Sequence, residues 1–226
     1  MLSELKAAIF DLDGTLIDSM GVWERVDRSF LSNHGFAQDE YYIRALKNMN
    51  YRQAAEFTVS YLGIDITPEE LFQEWNDTAV WEYGHTIEMK PGAVETLQWC
   101  AQQGLGIVLA TVSDRLLSDA VLKRHGVYDL FTGFTDEAAA DIGKEKPDIY
   151  LQAASIAGAR PEECILFEDI LKGIRAAKQA GFITCAFKDA SQAPDHKMLQ
   201  QEADHYISTW EEGLALLKRY RGEMTS

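Results

Sequence analysis

The chain of 226 residues is long enough for one large domain, or for a medium-sized domain that carries an insertion. Hydrophobic residues make up 46% and charged residues 25%, which is ordinary for a globular protein and argues against disorder. The formal net charge of -15 opposes binding to nucleic acid or to anionic membranes, because both repel the chain at long range. We therefore expect neither as a partner, and an anionic substrate needs a local cation in its site.

The N-terminus and the cysteines favour a cytoplasmic location. The first strand begins about six residues into the chain, too early for a signal peptide to precede it. No apolar run approaches the ~18 residues that a membrane span needs. The three cysteines, Cys100, Cys164 and Cys185, are scattered through apolar segments, and we interpret them as buried free thiols.

The first predicted element is a short buried strand over residues 7–10, which runs directly into the stretch DLDGT. Residues 20–88 then carry helix signals and almost no strand signals. Four segments carry these signals: VWERVDRSFLSNHG, DEYYIRALKNM, RQAAEFTVSYLG and TPEELFQEWNDTAVWEYG. The last has Thr67 as its N-cap, Pro68 at its first position and Glu70 completing a capping box. Four successive helices between β-type segments predict an inserted helical domain.

Strands and helices alternate in the remainder of the chain, after residues 90–92. We predict helices over 93–103, 115–125, 147–157, 172–180 and 211–221, and strands over 105–111, 130–134, 164–168, 183–187 and 205–207. Strands that alternate with helices of this length indicate βα units. The sequence therefore predicts an α/β fold with a doubly wound parallel sheet.

Polar side chains follow three of the predicted strands. They are Asp11 and Asp13 after the first strand, Thr111 and Ser113 after the residues IVLA, and Glu168 and Asp169 after the residues CILF. In an open α/β sheet, ligands bind at the carboxyl ends of the strands, so we expect these groups to lie together. Four carboxylates at one edge repel one another unless a cation lies among them, and Mg²⁺ is the cation that best suits oxygen ligands of this kind.

The paired aspartates suggest two different chemical roles. At positions i and i+2, where the chain turns at Gly14, both carboxylates can project into one cleft. A metal-bound, ionised carboxylate suits a nucleophile, and a carboxylate that is free to change its protonation suits a general acid and base.

Four motifs in order resemble those of the haloacid dehalogenase-like (HAD) phosphatases. DLDGTLIDS resembles the first motif, and Thr111 in LATVSD, Lys144 in GKEKPDIY and Glu168-Asp169 in FEDILKG resemble the other three. The resemblance covers nearly the whole chain and is greatest to the β-phosphoglucomutase-like branch. It implies a Rossmann-like core over residues 1–18 and 89–226, with a small all-helical cap domain inserted over residues 19–88.

The resemblance implies a reaction in two steps. Asp11 attacks phosphorus and becomes an aspartyl phosphate, while Asp13 protonates the leaving alkoxide and then activates water. The implied cofactor is Mg²⁺, bound by the side chains of Asp11 and Asp169 and by the backbone carbonyl of Asp13. Glu168 is implied either as a ligand through water or as a neighbour of the ligands.

Two further residues are implied as phosphate-binding groups. Thr111 donates a hydrogen bond to a phosphoryl oxygen, and Lys144 neutralises the charge that spreads over those oxygens. Lys144 is preferred to Lys146 because the family pattern places its lysine three residues before the proline of PDI(Y/F). We interpret the neighbouring polar residues as helix caps without a role in the chemistry. Asp18 and Ser19 would cap the first inserted helix, and Ser113 and Asp114 would cap the helix over 115–125.

The inserted domain departs from the β-phosphoglucomutase pattern. Those enzymes carry a histidine on the first cap helix, where this chain has Trp23, and an indole cannot transfer a proton. Their cap also supplies an arginine for a distal phosphate. In the corresponding loop, LKNMNYRQ, either Lys47 or Arg52 fills this role or both are solvated helix charges. Hydrolysis is therefore favoured, with sugar phosphate mutase activity as the alternative.

Two other functions fit the motifs less well. A dehalogenase needs no metal and lacks the second aspartate, so Asp13 and Asp169 argue against it. A phosphate-binding protein without catalysis would lack a motif member, and all are present. We expect a monomeric, cytoplasmic, Mg²⁺-dependent phosphatase that acts on a small phosphorylated metabolite, such as a sugar phosphate or a nucleotide-like phosphate.

Overall fold

The computed structural model describes residues 5–46, 49, 51–135 and 143–222. The chain divides into two compact units: one consists of Met1–Ser19 and Ile87–Ser226, and the other of Met20–Thr86. These limits differ by one and two residues from the domain boundaries that the sequence predicts. No helix among the described residues is both long enough and apolar enough to cross a membrane.

The second unit is helical throughout its described elements. Its helices are α1 (Val22–Asn33), α2 (Glu40–Leu46), α3 (Tyr51–Leu62) and α4 (Pro68–His85). The predicted capping box is confirmed at the start of α4, where Thr67 Oγ1 accepts from the Glu70 N–H at 3.1 Å. The predicted cap of α1 is wrong: the helix follows Gly21, whose φ of 76° is left-handed, and neither Asp18 nor Ser19 caps it.

The first unit is built on a parallel sheet of six described strands. They are β1 (Ala7–Phe10), β2 (Gly106–Leu109), β3 (Gly133–Phe134), β4 (Cys164–Glu168), β5 (Ile183–Phe187) and β6 (His205–Ile207). Their spatial order is β3-β2-β1-β4-β5-β6, and each described pair is parallel. The strand order therefore reverses beside β1, which is where ligands bind in such sheets. The predicted α/β, doubly wound fold is confirmed.

Helices alternate with these strands along the chain. They are α5 (Ala93–Gln102), α6 (Arg115–Arg124), α7 (Asp148–Ile156), α8 (Leu171–Gln179), α9 (His196–Glu202) and α10 (Trp210–Tyr220). Of these, α9 is absent from the predicted elements, because a seven-residue helix gives little periodicity. All residues of β1 and β4 are buried, as expected for strands of a parallel sheet that is covered on both faces.

Aromatic packing fixes the end of β1 within the core. Phe10 stacks on Phe167 with ring centroids 5.2 Å apart, and both rings contact Trp210. The Trp210 indole Nε1 donates to the backbone carbonyl of Thr15 at 3.1 Å. The loop that follows β1 is therefore tied to the core at a buried point. The three cysteines are buried free thiols, as the sequence predicts.

The segments that flank the helical unit run side by side in the first unit. Ile17 and Met89 form an antiparallel bridge, and the Asp18 N–H donates to the Glu88 carbonyl at 3.0 Å. The second segment is anchored at Lys90, whose ammonium lies 2.6 Å from the largely buried Asp189 carboxylate. The chain thus returns to the sheet beside the point at which it left.

Candidate active site

Asp11 lies in a tight turn that directly follows β1. Its carboxylate is buried, and Oδ2 accepts a hydrogen bond from Thr15 Oγ1 at 3.1 Å. The turn is left-handed at Gly14, with φ of 80°. A Cβ atom at Gly14 would lie 2.5 Å from Oδ2 of Asp169, so the glycine also lets the Asp169 carboxylate approach the turn.

Three carboxylates from β1 and β4 form a buried cluster. Asp11, Glu168 and Asp169 each offer an oxygen, and these oxygens lie within 4.8 Å of one another. Lys144 Nζ contacts Asp11 Oδ1 and lies 2.8 Å from Glu168 Oε2. Each of these four side chains is at most 6% exposed. Among the residues that the structure describes, Lys144 is therefore the cation that faces these three carboxylates, and the burial of the cluster limits screening by solvent.

The pKa shifts in this cluster indicate that Lys144 does not balance the charge of the three carboxylates. Burial, and next the charge of Glu168, raise the pKa of Asp11 to about 7, although Lys144 opposes this shift. Burial and the charges of Asp11 and Glu168 raise the pKa of Asp169 to about 9. Burial lowers the pKa of Lys144, but the charges of Asp11 and Glu168 outweigh it, and the net shift is upward. The donor set fits a further hard cation such as Mg²⁺, which would keep the carboxylates ionised together.

Ser113 connects Asp13 and Thr111 by two hydrogen bonds. The half-buried Asp13 carboxylate accepts a hydrogen bond from Ser113 Oγ at 2.5 Å. The backbone N–H of Ser113 donates to Thr111 Oγ1 at 3.1 Å. Because β2 lies next to β1, the structure brings both residues to the same sheet edge, as the sequence predicts.

The capping interpretation of Ser113 is wrong, and that of Asp114 is correct. Asp114 accepts from the Leu116 N–H at 2.7 Å and caps α6, whereas Ser113 turns its hydroxyl to Asp13. The sequence predicts Ser113 at this sheet edge but not its hydrogen bond to Asp13. Its position two residues after Thr111, at the same strand end, was the available signal.

The two candidate lysines before α7 differ sharply in environment. Lys144 is buried against Asp11, as expected for the residue selected from the sequence, and Lys146 is exposed. Helix α7 supplies a further contact that the sequence reasoning missed. The Tyr150 hydroxyl, buried in this helix, donates to Glu168 Oε2 at 2.9 Å. The tyrosine of the PDIY stretch was quoted only as part of the motif.

Of the two candidate specificity residues in the helical unit, the structure describes one. Lys47 lies outside the described residues. Arg52 is exposed and lines a cavity of about 470 Å³ between α3 and α4, together with Pro68 and Phe72. Trp23 lines a different cavity. Arg52 and Trp23 thus line two different cavities.

The cavity beside Trp23 has a volume of about 250 Å³, and the Asp27 carboxylate is part of its described lining. The Tyr42 hydroxyl donates to Asp27 Oδ1 at 2.6 Å, and Gln38 Nε2 donates to Oδ2 at 2.7 Å. Burial raises the pKa of Asp27, while these two hydrogen bonds oppose the shift. The indole of Trp75 forms another wall. This cavity combines aromatic surface with a hydrogen-bond acceptor.

Comparisons with known proteins give a consistent result. Residues 5–181 match the sequence model of a family described as haloacid dehalogenase-like hydrolase. Hexitol phosphatase B of Escherichia coli (strain K12) is 27% identical over 191 residues, which cover 78% of this chain and 81% of that protein. Validoxylamine A 7'-phosphate phosphatase of Streptomyces hygroscopicus subsp. limoneus is 30% identical over 181 residues, covering 78% and 82%.

The solved structures extend the likeness to nearly the whole fold. A Thermotoga maritima protein, provisionally assigned as a β-phosphoglucomutase, superposes with a TM-score of 0.81. The two chains are 23% identical, and the match covers 95% of this chain and 99% of the other. At this identity the likeness describes the fold.

Proposed function

Since the chain belongs to the haloacid dehalogenase-like hydrolases, with the fold of the β-phosphoglucomutase-like branch, we propose that it is a Mg²⁺-dependent phosphatase. Its reaction is the hydrolysis of a small phosphomonoester, a sugar phosphate or similar metabolite, through an aspartyl phosphate. The observation that carries the proposal is the buried cluster of Asp11, Glu168 and Asp169 beside Lys144. The cluster lies at the strand ends that also hold Asp13 and Thr111.

Asp11 is the nucleophile in this proposal. One carboxylate oxygen forms the bond to phosphorus as the bond to the substrate oxygen breaks. Thr15 and Lys144 each contact one oxygen of this carboxylate and so limit its rotation. This orientation reduces the freedom that the group loses when it reacts.

Asp13 is the general acid and base in this proposal. It gives a proton to the leaving alkoxide, and as a carboxylate it then takes a proton from the water that attacks the aspartyl phosphate. The second step releases inorganic phosphate and restores Asp11. The Ser113 hydroxyl holds Asp13 by a hydrogen bond, which orients the group between the two steps.

Lys144 and Thr111 bind the phosphoryl oxygens. Two N–H groups of Lys144 contact carboxylates among the described residues, and the third is available to a phosphoryl oxygen. Mg²⁺ would be held by the side chains of Asp11 and Asp169 and by the backbone carbonyl of Asp13. When bound, it supplies positive charge that offsets repulsion between the carboxylates and the phosphate.

The relatives support a polyhydroxylated substrate. One is named for hexitol phosphates and the other for validoxylamine A 7'-phosphate. Trp23 supports hydrolysis over the mutase alternative, because an indole does not transfer protons. Lys47 and Arg52 remain the proposed specificity residues. A monomeric state and a cytoplasmic location are further proposals, which rest on the sequence.

Phosphate release from a panel of sugar, polyol, nucleotide and aryl phosphates tests the proposal. We expect release with Mg²⁺, its loss in excess EDTA, and a preference for sugar or polyol phosphates. Asp11→Asn serves as the control for contaminating phosphatases. If no substrate releases phosphate while Mg²⁺ is bound, the proposal is wrong, and isomerised sugar phosphates among the products would indicate a mutase.

A further inference from the structure

Every acceptor position of the Glu168 carboxylate is filled. Oε1 accepts from the backbone N–H groups of Asp169 at 3.1 Å and Ile170 at 3.2 Å. Oε2 accepts from the Tyr150 hydroxyl at 2.9 Å and lies 2.8 Å from Lys144 Nζ. A carboxylate offers about four acceptor sites, so these four donors leave no lone pair for a cation.

The protein also confines Glu168 sterically. Both Glu168 and Tyr150 are 0% exposed, so water does not replace a donor that is removed. Helix α8 passes directly behind the carboxylate, and a Cβ atom at Gly173 would lie 2.9 Å from Glu168 Cγ. The side chain is therefore held between α7 and α8 in its present orientation.

The other two carboxylates of the cluster differ from Glu168. Asp11 accepts one hydrogen bond on each oxygen among the described residues, from Lys144 and from Thr15, and keeps lone pairs on both. Asp169 directs Oδ2 toward Gly14, where no side chain fills the space. Asp11 and Asp169 thus retain the capacity to bind a cation that Glu168 has used on protein donors.

We propose that Glu168 is not a direct ligand of the cation but the acceptor that positions Lys144, and that the Tyr150 hydroxyl keeps Glu168 in this state. Tyr150 is then a positioning residue that acts through Glu168 on the lysine. Without its hydroxyl, Oε2 would keep one unfilled lone pair beside Lys144, and the lysine would lose a fixed partner. The effect on phosphate rests on the proposed function, and the effect on the cation does not.

Mn²⁺ binding to the metal-free protein tests the first part of the proposal. In the cation-bound state, where the carboxylates are ionised together, Glu168→Gln and Asp169→Asn each lack one negative charge of the same cluster, so a difference between them reports coordination rather than charge. We expect Asp169→Asn to weaken Mn²⁺ binding, followed by electron paramagnetic resonance, at least about tenfold more than Glu168→Gln. Equal losses in the two variants would overturn the assignment.

Tyr150→Phe tests the second part, with Tyr206→Phe as its matched control. The Tyr206 hydroxyl is also buried but has no hydrogen-bond partner among the described residues, so its removal breaks no hydrogen bond to them. We expect Tyr150→Phe to weaken binding of inorganic phosphate in calorimetry by about tenfold and to change the Mn²⁺ dissociation constant by less than about threefold. Tyr206→Phe should leave both constants unchanged.

Two results would contradict the role of Tyr150. One is phosphate binding by Tyr150→Phe equal to that by Tyr206→Phe, and the other is a loss of Mn²⁺ affinity as large as that of Asp169→Asn. The binding measurements need no turnover. If the wild-type protein binds Mn²⁺ and phosphate as described but hydrolyses no phosphomonoester, the proposed function fails and this inference stands.

Discussion

Replacing Gly14 with alanine places a methyl group in space that the Asp169 carboxylate occupies. At φ of 80°, an alanine costs roughly 1–2 kcal/mol of backbone strain. The new Cβ would lie 2.5 Å from Oδ2 of Asp169, whereas ordinary contact begins at 3.4 Å. Asp169 must therefore retreat by about 1 Å, a misplacement that lowers turnover on the order of 100-fold. We expect weaker Mg²⁺ binding in calorimetry and this loss in kcat.

Gly104→Ala separates the steric effect from the backbone strain. Gly104 has φ of 69°, and an added Cβ meets nothing within 4 Å. We expect both variants to lose about 1–2 kcal/mol in the free energy of unfolding, measured in urea. Only Gly14→Ala should also lose Mg²⁺ affinity and activity. Wild-type Mg²⁺ affinity in a folded Gly14→Ala protein would refute the reasoning.

Three further outcomes follow from the site. Asp11→Asn should lower turnover on the order of 10⁴-fold or more with an unchanged circular dichroism spectrum, and a fully active variant would contradict the mechanism. Lys47→Ala or Arg52→Ala should change kcat/KM for sugar phosphates more than for 4-nitrophenyl phosphate, and equal losses would count against a specificity role. Burial raises the pKa of Asp11 to about 7 and of Asp169 to about 9 from 3.8, so the folded metal-free protein holds protons that the unfolded chain releases. Its Tm in EDTA should therefore fall as pH rises from about 4 to about 9, and a rising Tm would contradict these shifts.

The sheet was predictable because its strands are continuous apolar runs that end in polar residues. The bounds predicted for the strands at residues 7–10 and 164–168 match β1 and β4. The prediction for β2 was too long, since the apolar run continues beyond the ladder, which ends at Leu109. The strand predicted over 130–134 was also too long, because Tyr128–Leu130 forms a 3₁₀ turn before β3.

The acidic cluster was predictable for a similar reason, because each of its carboxylates lies at the end of a strand or directly after it. The supporting hydrogen bonds were not. Ser113 and Asp13 are 100 positions apart, and Tyr150 and Glu168 are 18 apart. A serine before a helix is locally typical of an N-cap, and a tyrosine on an apolar helix face is typical of a core residue. Only the adjacency of β1, β2 and β4, with α7 against the sheet, brings these pairs together.

The antiparallel bridge between Ile17 and Met89 brings together the two chain segments that flank the helical unit. The unit is therefore an insertion whose two ends meet at one place beside the sheet. Because the insertion begins and ends at residues that pair with each other, the entropic cost of joining its ends depends only weakly on the number of inserted residues. Residues 20–86 can therefore be exchanged for helices of another size without changing the register of β1 against β2 and β4. Such an exchange allows homologous proteins to change which substrate they select while they keep the same carboxylate cluster.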